Sequence, residues 1–226
     1  MMVKKHRVFI SGTGTDVGKT YITKNIIKLF KNNKLNIAPY KPIETGCKNV
    51  NSRLIPSDAQ LFYKLTDGEI DLNNINPYRF KNPISPNRAI KLSKRKIYIK
   101  DFVKKSSFFD DFDFLIVEGA GGLCSPIALD GLNIDLIKKM KIPTILVAKD
   151  EIGVINNVLM SLSIIKKYKI KILCIVLNKI HGKQPIGMNN YCELKGFTKI
   201  PVIKITNSHQ KNKNSYKKIM HIIMDN

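Results

Sequence analysis

Three short stretches bring together residue types that can handle a phosphorylated ligand. The first is Gly12-Thr13-Gly14-Thr15-Asp16-Val17-Gly18-Lys19-Thr20, which follows an apolar run, Arg7–Ser11, and opens a helical pattern, Lys19–Lys31. A strand, a glycine-rich loop and a helix in succession form the context that a phosphate-binding loop requires. Glycines let successive backbone N–H groups turn inward as an anion nest, and the helix start adds partial positive charge. From there the Lys19 ammonium can reach β- and γ-phosphates, and the Thr20 hydroxyl can ligate Mg²⁺. Five residues separate Gly12 from Gly18, one more than in the common loop. A plain glycine-rich turn is the competing reading.

The second stretch is Phe114-Leu115-Ile116-Val117-Glu118 followed by Gly119-Ala120-Gly121-Gly122. A carboxylate closing an apolar strand resembles the acidic strand that accompanies phosphate loops and helps hold Mg²⁺, with Glu here in place of the usual Asp. The glycines after it leave backbone N–H groups open to a second anion. The third stretch, Tyr40-Lys41-Pro42-Ile43-Glu44-Thr45-Gly46, sets a lysine directly after a second predicted strand. Taken by itself, in a chain with 34 lysines, it reads more simply as a solvated surface side chain. Downstream, Ser57-Asp58 reads as a helix start. Asp58 there is either a plain first-turn charge or a third group of the magnesium shell.

These residues need a scaffold that brings strand ends together. Short apolar runs occur at Arg7–Ser11, Asn36–Tyr40, Phe112–Glu118, Ile142–Ala148, Lys171–Leu177 and Lys199–Ile205. Helical patterns lie between them, notably Lys19–Lys31 and Ile155–Tyr168. Strands that are apolar throughout are buried on both faces, which predicts a mostly parallel sheet flanked by helices, a three-layer α/β fold. Ligands then bind outside the carboxyl ends of the strands. The Pro- and Asn-rich section Asn73–Lys100 is expected to form loops with short helices over that edge. No repeat or low-complexity linker divides residues 1–226, so one domain is expected, with Asn207–Asn226 a weakly ordered basic tail.

Composition narrows the partners. The longest apolar run, Ile172 to Leu177, falls far short of the roughly 18 residues of a membrane span. Four dispersed cysteines without a C-x-x-C motif suggest neither a disulfide framework nor a zinc site, and a cytoplasmic location is expected. The net charge of +22 would suit a nucleic-acid surface, but 34 of the 39 basic residues are lysine. Lys, Ile and Asn make up 39% of the chain, the signature of AT-rich codons, and the lysines form no block. Base-composition drift explains the charge without a partner more simply than a nucleic-acid surface does, but the charge alone does not decide between them.

Taken in order, the lengthened phosphate loop, Lys41–Gly46, Ser57-Asp58, Asn76-Pro77-Tyr78-Arg79-Phe80, Ser85-Pro86 and Val117–Gly122 resemble the dethiobiotin synthetases, over about residues 7–180. These are ATP-dependent, ring-closing enzymes of biotin synthesis with a P-loop NTPase-like fold. The resemblance implies an ATP site built from Asp16, Val17, Gly18, Lys19, Thr20, Tyr21, Asp58, Glu118, Gly119, Ala120 and Gly121, with Asn178 reading the base. It implies Mg²⁺ held by Thr20, Asp58 and Glu118, and Lys19 and Lys41 as the catalytic cations. Thr45 and Gly121 would contact the substrate. Gly153-Val154-Ile155-Asn156 would take the substrate carboxylate across a homodimer. Asn87 stands where the family often has His, and the segment after Ile200-Pro201 lacks the family's further Gly-x-x-Pro.

The implied substrates are small molecules: 7,8-diaminononanoate, CO₂ and ATP, joined through a carbamate and a carbamic–phosphoric anhydride. Carbamate attack needs no evident general base, in keeping with four isolated histidines, His6, His181, His209 and His221. The rival is a partition-type ATPase, a nucleotide switch on DNA or membrane that shares the fold. Its loop carries an additional lysine near the start, whereas positions 13–16 here are Thr-Gly-Thr-Asp. No specific nucleic-acid or membrane partner is therefore expected.

Overall fold

The computed structural model of the protein describes residues 5–180, 184–206 and 209–226. Strand β1 (His6–Gly12) leads through the phosphate loop into α1 (Lys19–Asn32), then β2 (Ile37–Tyr40) and β3 (Ile43–Glu44). A small hairpin, β4 (Lys48–Val50) and β5 (Arg53–Ile55), precedes α2 (Ser57–Leu65), α3 (Leu72–Ile75), β6 (Tyr78–Arg79), α4 (Pro86–Leu92) and α5 (Ile99–Ser106). The remainder alternates: β7 (Phe114–Gly122), α6 (Asn133–Met140), β8 (Thr144–Lys149), α7 (Val154–Lys167), β9 (Ile172–Asn178), α8 (Asn190–Phe197), β10 (Val202–Ile205) and α9 (His209–Met224).

Six strands form one parallel sheet in the order β10-β9-β8-β1-β7-β2. The apolar runs become its strands because both faces are covered, and Phe9, Ile10, Val117, Ile145, Val147 and Ile175 are fully buried. The chain winds from β1 to β2 in one direction and from β7 through β8 and β9 to β10 in the other. Right-handed crossovers therefore put α1 on one face and α6, α7 and α8 on the opposite face. Helix α9 returns to pack beside α1. This is the three-layer α/β arrangement that the sequence predicts.

Two expectations change in detail. Strand β7 does not stop at Glu118 but continues through the glycines to Gly122, because its pairing with β1 is bulged. Ile10 faces Glu118 while Gly12 faces Gly122, so β7 spends two more residues than β1 over that interval. The segment expected to be a weakly ordered tail forms a helix over most of its length. Tyr216, Ile219 and Ile223 recur at helical spacing, and all three are buried in the core. Residues 207 and 208 of that segment lie outside the described ones. The section Asn73–Lys100 holds short helices and a two-residue strand, with the Lys41 N–H donating to the Ile75 carbonyl at the carboxyl end of β2.

Because Ile219 is fully buried, Ile219→Ala should cost about 2–5 kcal/mol of stability, as other large-to-small core changes do. Urea unfolding followed by circular dichroism checks this, and exposed Lys217→Ala should leave the midpoint unchanged.

Candidate active site

The carboxyl ends of β1, β2, β7 and β9 open onto a cavity of about 700 Å³. Its phosphate-loop wall comprises Thr15, Asp16, Gly18, Lys19, Thr20 and Tyr21. Helix α1 starts without a side-chain cap, since its N-cap residue is Gly18 at φ 92°, so its first-turn N–H groups are left to a ligand. A Cβ on Gly18 would come within 2.0 Å of Asn178 Nδ2, so both the backbone conformation and the space require glycine there. The Asn178 carboxamide donates to the Val17 carbonyl at 3.0 Å and ties the end of β9 to the loop. Lys19 Nζ donates back to the Gly14 carbonyl at 2.9 Å. Burial, reinforced by the charge of Lys41, lowers the Lys19 ammonium to about 8.

Beside the loop lies an ionic cluster built around a buried lysine and a buried glutamate. Lys41, directly after β2, places Nζ 2.7 Å from Glu118 Oε1 and 2.9 Å from Asp58 Oδ2. Glu118 is fully buried and also accepts from Thr20 Oγ1 at 2.8 Å and Thr23 Oγ1 at 2.5 Å. Burial alone would pull the Lys41 ammonium down, but the Glu118 and Asp58 carboxylates outweigh it and hold it well above the ordinary lysine range. Burial likewise works against the Asp58 carboxylate, and the Lys41 charge overrides it to keep Asp58 below its ordinary range.

Glu44 is the residue of this region whose task the motifs alone do not reveal. It is buried at the end of β3, and its carboxylate accepts from the Asp58 and Ala59 N–H groups at 3.0 and 3.1 Å. It also accepts from Ser57 Oγ at 3.2 Å. Helix α2 has Pro56 at its N-cap, which offers no side-chain oxygen, so Glu44 caps the helix from another element and fixes where Asp58 stands. The signal is present in the sequence, as an acid inside Lys41–Gly46 shortly before a helix start. Burial, with the neighbouring Asp58 charge, raises the Glu44 carboxyl above its usual range.

The cavity gathers most of the residues singled out from sequence. Lys41, Thr45, Asp58, Ala120, Gly121 and Asn178 line it together with the loop. Glu118 stands behind Thr20 and Lys41, the Val17 side chain turns into the core, and Gly119 packs on Phe9. The segment Gly153, Val154, Ile155, Asn156 does not line this cavity. Gly153 is the left-handed N-cap of α7, and Gly153 and Asn156 are exposed on the surface. Lys179, Ile180 and Thr206, not anticipated from sequence, complete the wall beyond Asn178. Asn87, in the position where the family often has His, donates to the Ala128 carbonyl at 2.6 Å. His6 stacks on Phe114 and His221 is exposed, whereas His181 and the side chain of His209 lie outside the described residues. Cys47 is buried, and its thiol is pushed up to about 11 chiefly by burial, which suits packing rather than nucleophilic chemistry.

Thr20 and the two carboxylates also meet the requirements of a hard divalent cation. One ammonium nitrogen touches both Glu118 and Asp58, so a single small cation could do the same, and the Thr20 hydroxyl lies 2.8 Å from Glu118. Among the described residues no group of three His, Cys, Asp or Glu side chains forms a metal site. Two carboxylates and a hydroxyl leave the other octahedral positions to water and phosphate oxygens, the usual arrangement for Mg²⁺.

Residues 6–211 match a family model described as an AAA domain. An ATP-dependent dethiobiotin synthetase of Vesicomyosocius okutanii is 39% identical over 196 residues, spanning 87% of this chain and 88% of that protein. Another, from Ruthia magnifica, is 36% identical over 217 residues, 96% of this chain and 99% of that one. Among solved structures, a plasmid partition protein of Borrelia burgdorferi bound to AMPPNP superposes with a TM-score of 0.58 at 12% identity, over 98% of this chain and 99% of that one. A MinC:MinD cell division protein complex of Aquifex aeolicus gives 0.55 at 11%, over 94% and 86%. At such identities the solved structures share only the fold. The synthetases, by contrast, agree with this chain at more than a third of the aligned positions over nearly its whole length. The chain belongs to the ATP-dependent dethiobiotin synthetase family.

Proposed function

We propose that this protein is an ATP-dependent cyclo-ligase that joins 7,8-diaminononanoate, CO₂ and ATP to give dethiobiotin, ADP and phosphate. The observation that carries this reading is that two buried lysines, Lys19 and Lys41, line one cavity at the strand ends. One substrate amine adds to CO₂ and loses a proton, giving a carbamate. A carbamate oxygen then attacks the γ-phosphorus, ADP leaves, and a carbamic–phosphoric anhydride forms. The second amine attacks the carbonyl carbon, phosphate departs, and loss of a proton completes the five-membered urea.

The difficulty is that an anion must approach a triphosphate carrying about four negative charges, so positioning and charge compensation do most of the work. Lys19 and the uncapped start of α1 hold the phosphates on one side. Lys41 meets the carbamate oxygen and the transferring phosphoryl group from the other. Thr45 and Gly121 border the substrate end, and Asn178 lies where a nucleotide base would emerge. Thr20, Asp58 and Glu118 would hold Mg²⁺, which, when bound, neutralises phosphate charge. We assign a cytoplasmic location, in keeping with free thiols at Cys47, Cys124, Cys174 and Cys192. No described helix is long and apolar enough to cross a membrane. Incubation with 7,8-diaminononanoate, bicarbonate and MgATP, followed by mass analysis, should show dethiobiotin. ATP turnover without that product would overturn the reading.

The protein is further proposed to act as a homodimer in which Gly153–Asn156 of one subunit caps the partner's substrate site. The segment starts α7, whose first-turn N–H groups suit a carboxylate, and it carries exposed Ile152 and Met160 on either side. Sedimentation in moderate salt should give a mass near twice 25.7 kDa. Any DNA binding should collapse between low and physiological salt and should not respond to ATP. A fully active monomer would refute the shared site.

Three substitutions test the chemistry. Lys41→Gln should leave nucleotide affinity largely intact while turnover falls on the order of 10²–10³-fold, the usual loss for one preorganised charge donor. Turnover within a few-fold of wild type would remove Lys41 from the mechanism. Asp58→Asn and Glu118→Gln should lose most activity at low Mg²⁺ and recover partly as Mg²⁺ is raised. An unchanged Mg²⁺ dependence would make both carboxylates structural.

A further inference from the structure

We infer that Asn133, on α6 outside the cavity, is a positioning residue that aims the Gly121 N–H at the reacting anion. The inference rests on the cyclo-ligase reading of the cavity. Asn133 is fully buried, and its Nδ2 donates to two carbonyls of the β7 bulge, Ala120 at 2.6 Å and Gly122 at 2.7 Å. In a trans peptide the C=O and N–H point in opposite directions. Turning the Ala120 and Gly122 carbonyls toward α6 therefore turns the N–H groups of Gly121 and Leu123 the other way. The Leu123 N–H shows where that leads, because it donates to the Gly12 carbonyl of the phosphate loop at 3.2 Å. The Gly121 N–H is aimed to the same side, where Ala120 and Gly121 border the cavity and Thr15 stands opposite.

The surrounding contacts support one fixed setting. The peptide between these two points the other way, its Gly122 N–H donating to Ser125 Oγ at 2.8 Å, and Gly121 sits at φ 73°. The main chain of α6 is stitched to the same turn, with the Asn133 N–H donating to the Ser125 carbonyl and the Ile134 N–H to the Leu123 carbonyl. A Cβ on Gly119 would lie 2.6 Å from Asn133 Oδ1, so glycine at 119 makes room for the clamp. Among the described residues that Oδ1 has no hydrogen-bond partner. A buried, unsatisfied acceptor is a cost, and it is tolerated here beside two short donor contacts.

Asn133→Ala removes both contacts, and Ser125→Ala releases the bulge from its other end. Each is assayed beside the wild type for kcat, for the Michaelis constants of the diamine and of ATP, and for affinity toward a non-hydrolysable ATP analogue. Asn133→Ala should lower kcat about 10- to 100-fold with both Michaelis constants and analogue affinity within about threefold, as for an interaction made mainly in the transition state. A merely structural role would lower the melting temperature and leave kcat per folded molecule intact. A kcat within twofold of wild type while the wild type makes dethiobiotin would overturn the inference and leave the reaction standing. If Asn133→Ala does not fold, Ser125→Ala decides, with the same kcat loss expected. If the wild type makes no dethiobiotin, the reaction reading fails, and glycine-labelled spectra with the analogue and Mg²⁺ decide on Asn133. A ligand-induced shift of the Gly121 amide that is lost in Asn133→Ala supports its positioning role, and a shift unchanged in the variant overturns it.

Discussion

The buried lysine between two carboxylates constrains the rest of this structure. Taking an ammonium and a carboxylate out of water costs several kcal/mol per ion, recovered only when geometry and hydrogen bonding are both good. Lys41 meets that condition through Glu118 and Asp58, and Glu118 is further satisfied by Thr20 and Thr23. Five side chains from β7, α1, α2 and the end of β2 thereby depend on one another. The adjacency of β2 to β7 and of β7 to β1 makes that meeting possible. Removing one member leaves a buried charge or hydroxyl without its partner, which ties the chemistry of the site to the stability of the sheet around it.

The same cluster explains why so much of the neighbourhood is supporting structure. Glu44 spends its carboxylate on the start of α2, so Asp58 arrives at Lys41 from a fixed helix rather than from a loop. At the phosphate loop itself, Lys19 rests on the Gly14 carbonyl and Asn178 on the Val17 carbonyl. Neither lysine is therefore a loose surface charge. Each is held by protein oxygens, Lys19 by the Gly14 carbonyl and Lys41 by the Glu118 and Asp58 carboxylates. Most other lysines of this +22 chain are exposed, so these two differ from them in being fixed in place.

Much of this is legible in the sequence, and the reasons differ by element. Strands such as Phe114–Val117 and Ile145–Ala148 declare themselves because continuous apolar residues suit only a sheet covered on both faces. The phosphate loop declares itself through glycine spacing. Lys41 cannot be told from 33 other lysines by type, and only its motif and its strand end set it apart. Glu44 and Asn133 stay hidden because their side chains work through hydrogen bonds to residues at least 13 and 11 positions away. The hairpin Lys48–Ile55 escapes notice because its strands are short and mostly exposed, so no apolar alternation marks them. Its only signal is the pair Asn51-Ser52, both at positive φ as a tight two-residue turn demands. Helix α9 is disguised by its lysines and asparagines, which mask the three apolar residues that hold it.

The position of β1 in the sheet also bears on how the protein acquires its shape. This strand lies between β7 and β8, pairing His6 with Phe114 and Phe9 with Thr144. During synthesis the phosphate loop is made before both neighbours that fix it, which follow more than a hundred residues later. Until they arrive, the glycines have no ladder to brace them and the apolar run Val8-Phe9-Ile10 has no partner on either edge. Pairings this distant in sequence slow folding, because the entropy of closing the intervening chain must be met before any contact rewards it. The loop between β1 and α1 is therefore braced only through pairings that close more than a hundred residues of intervening chain.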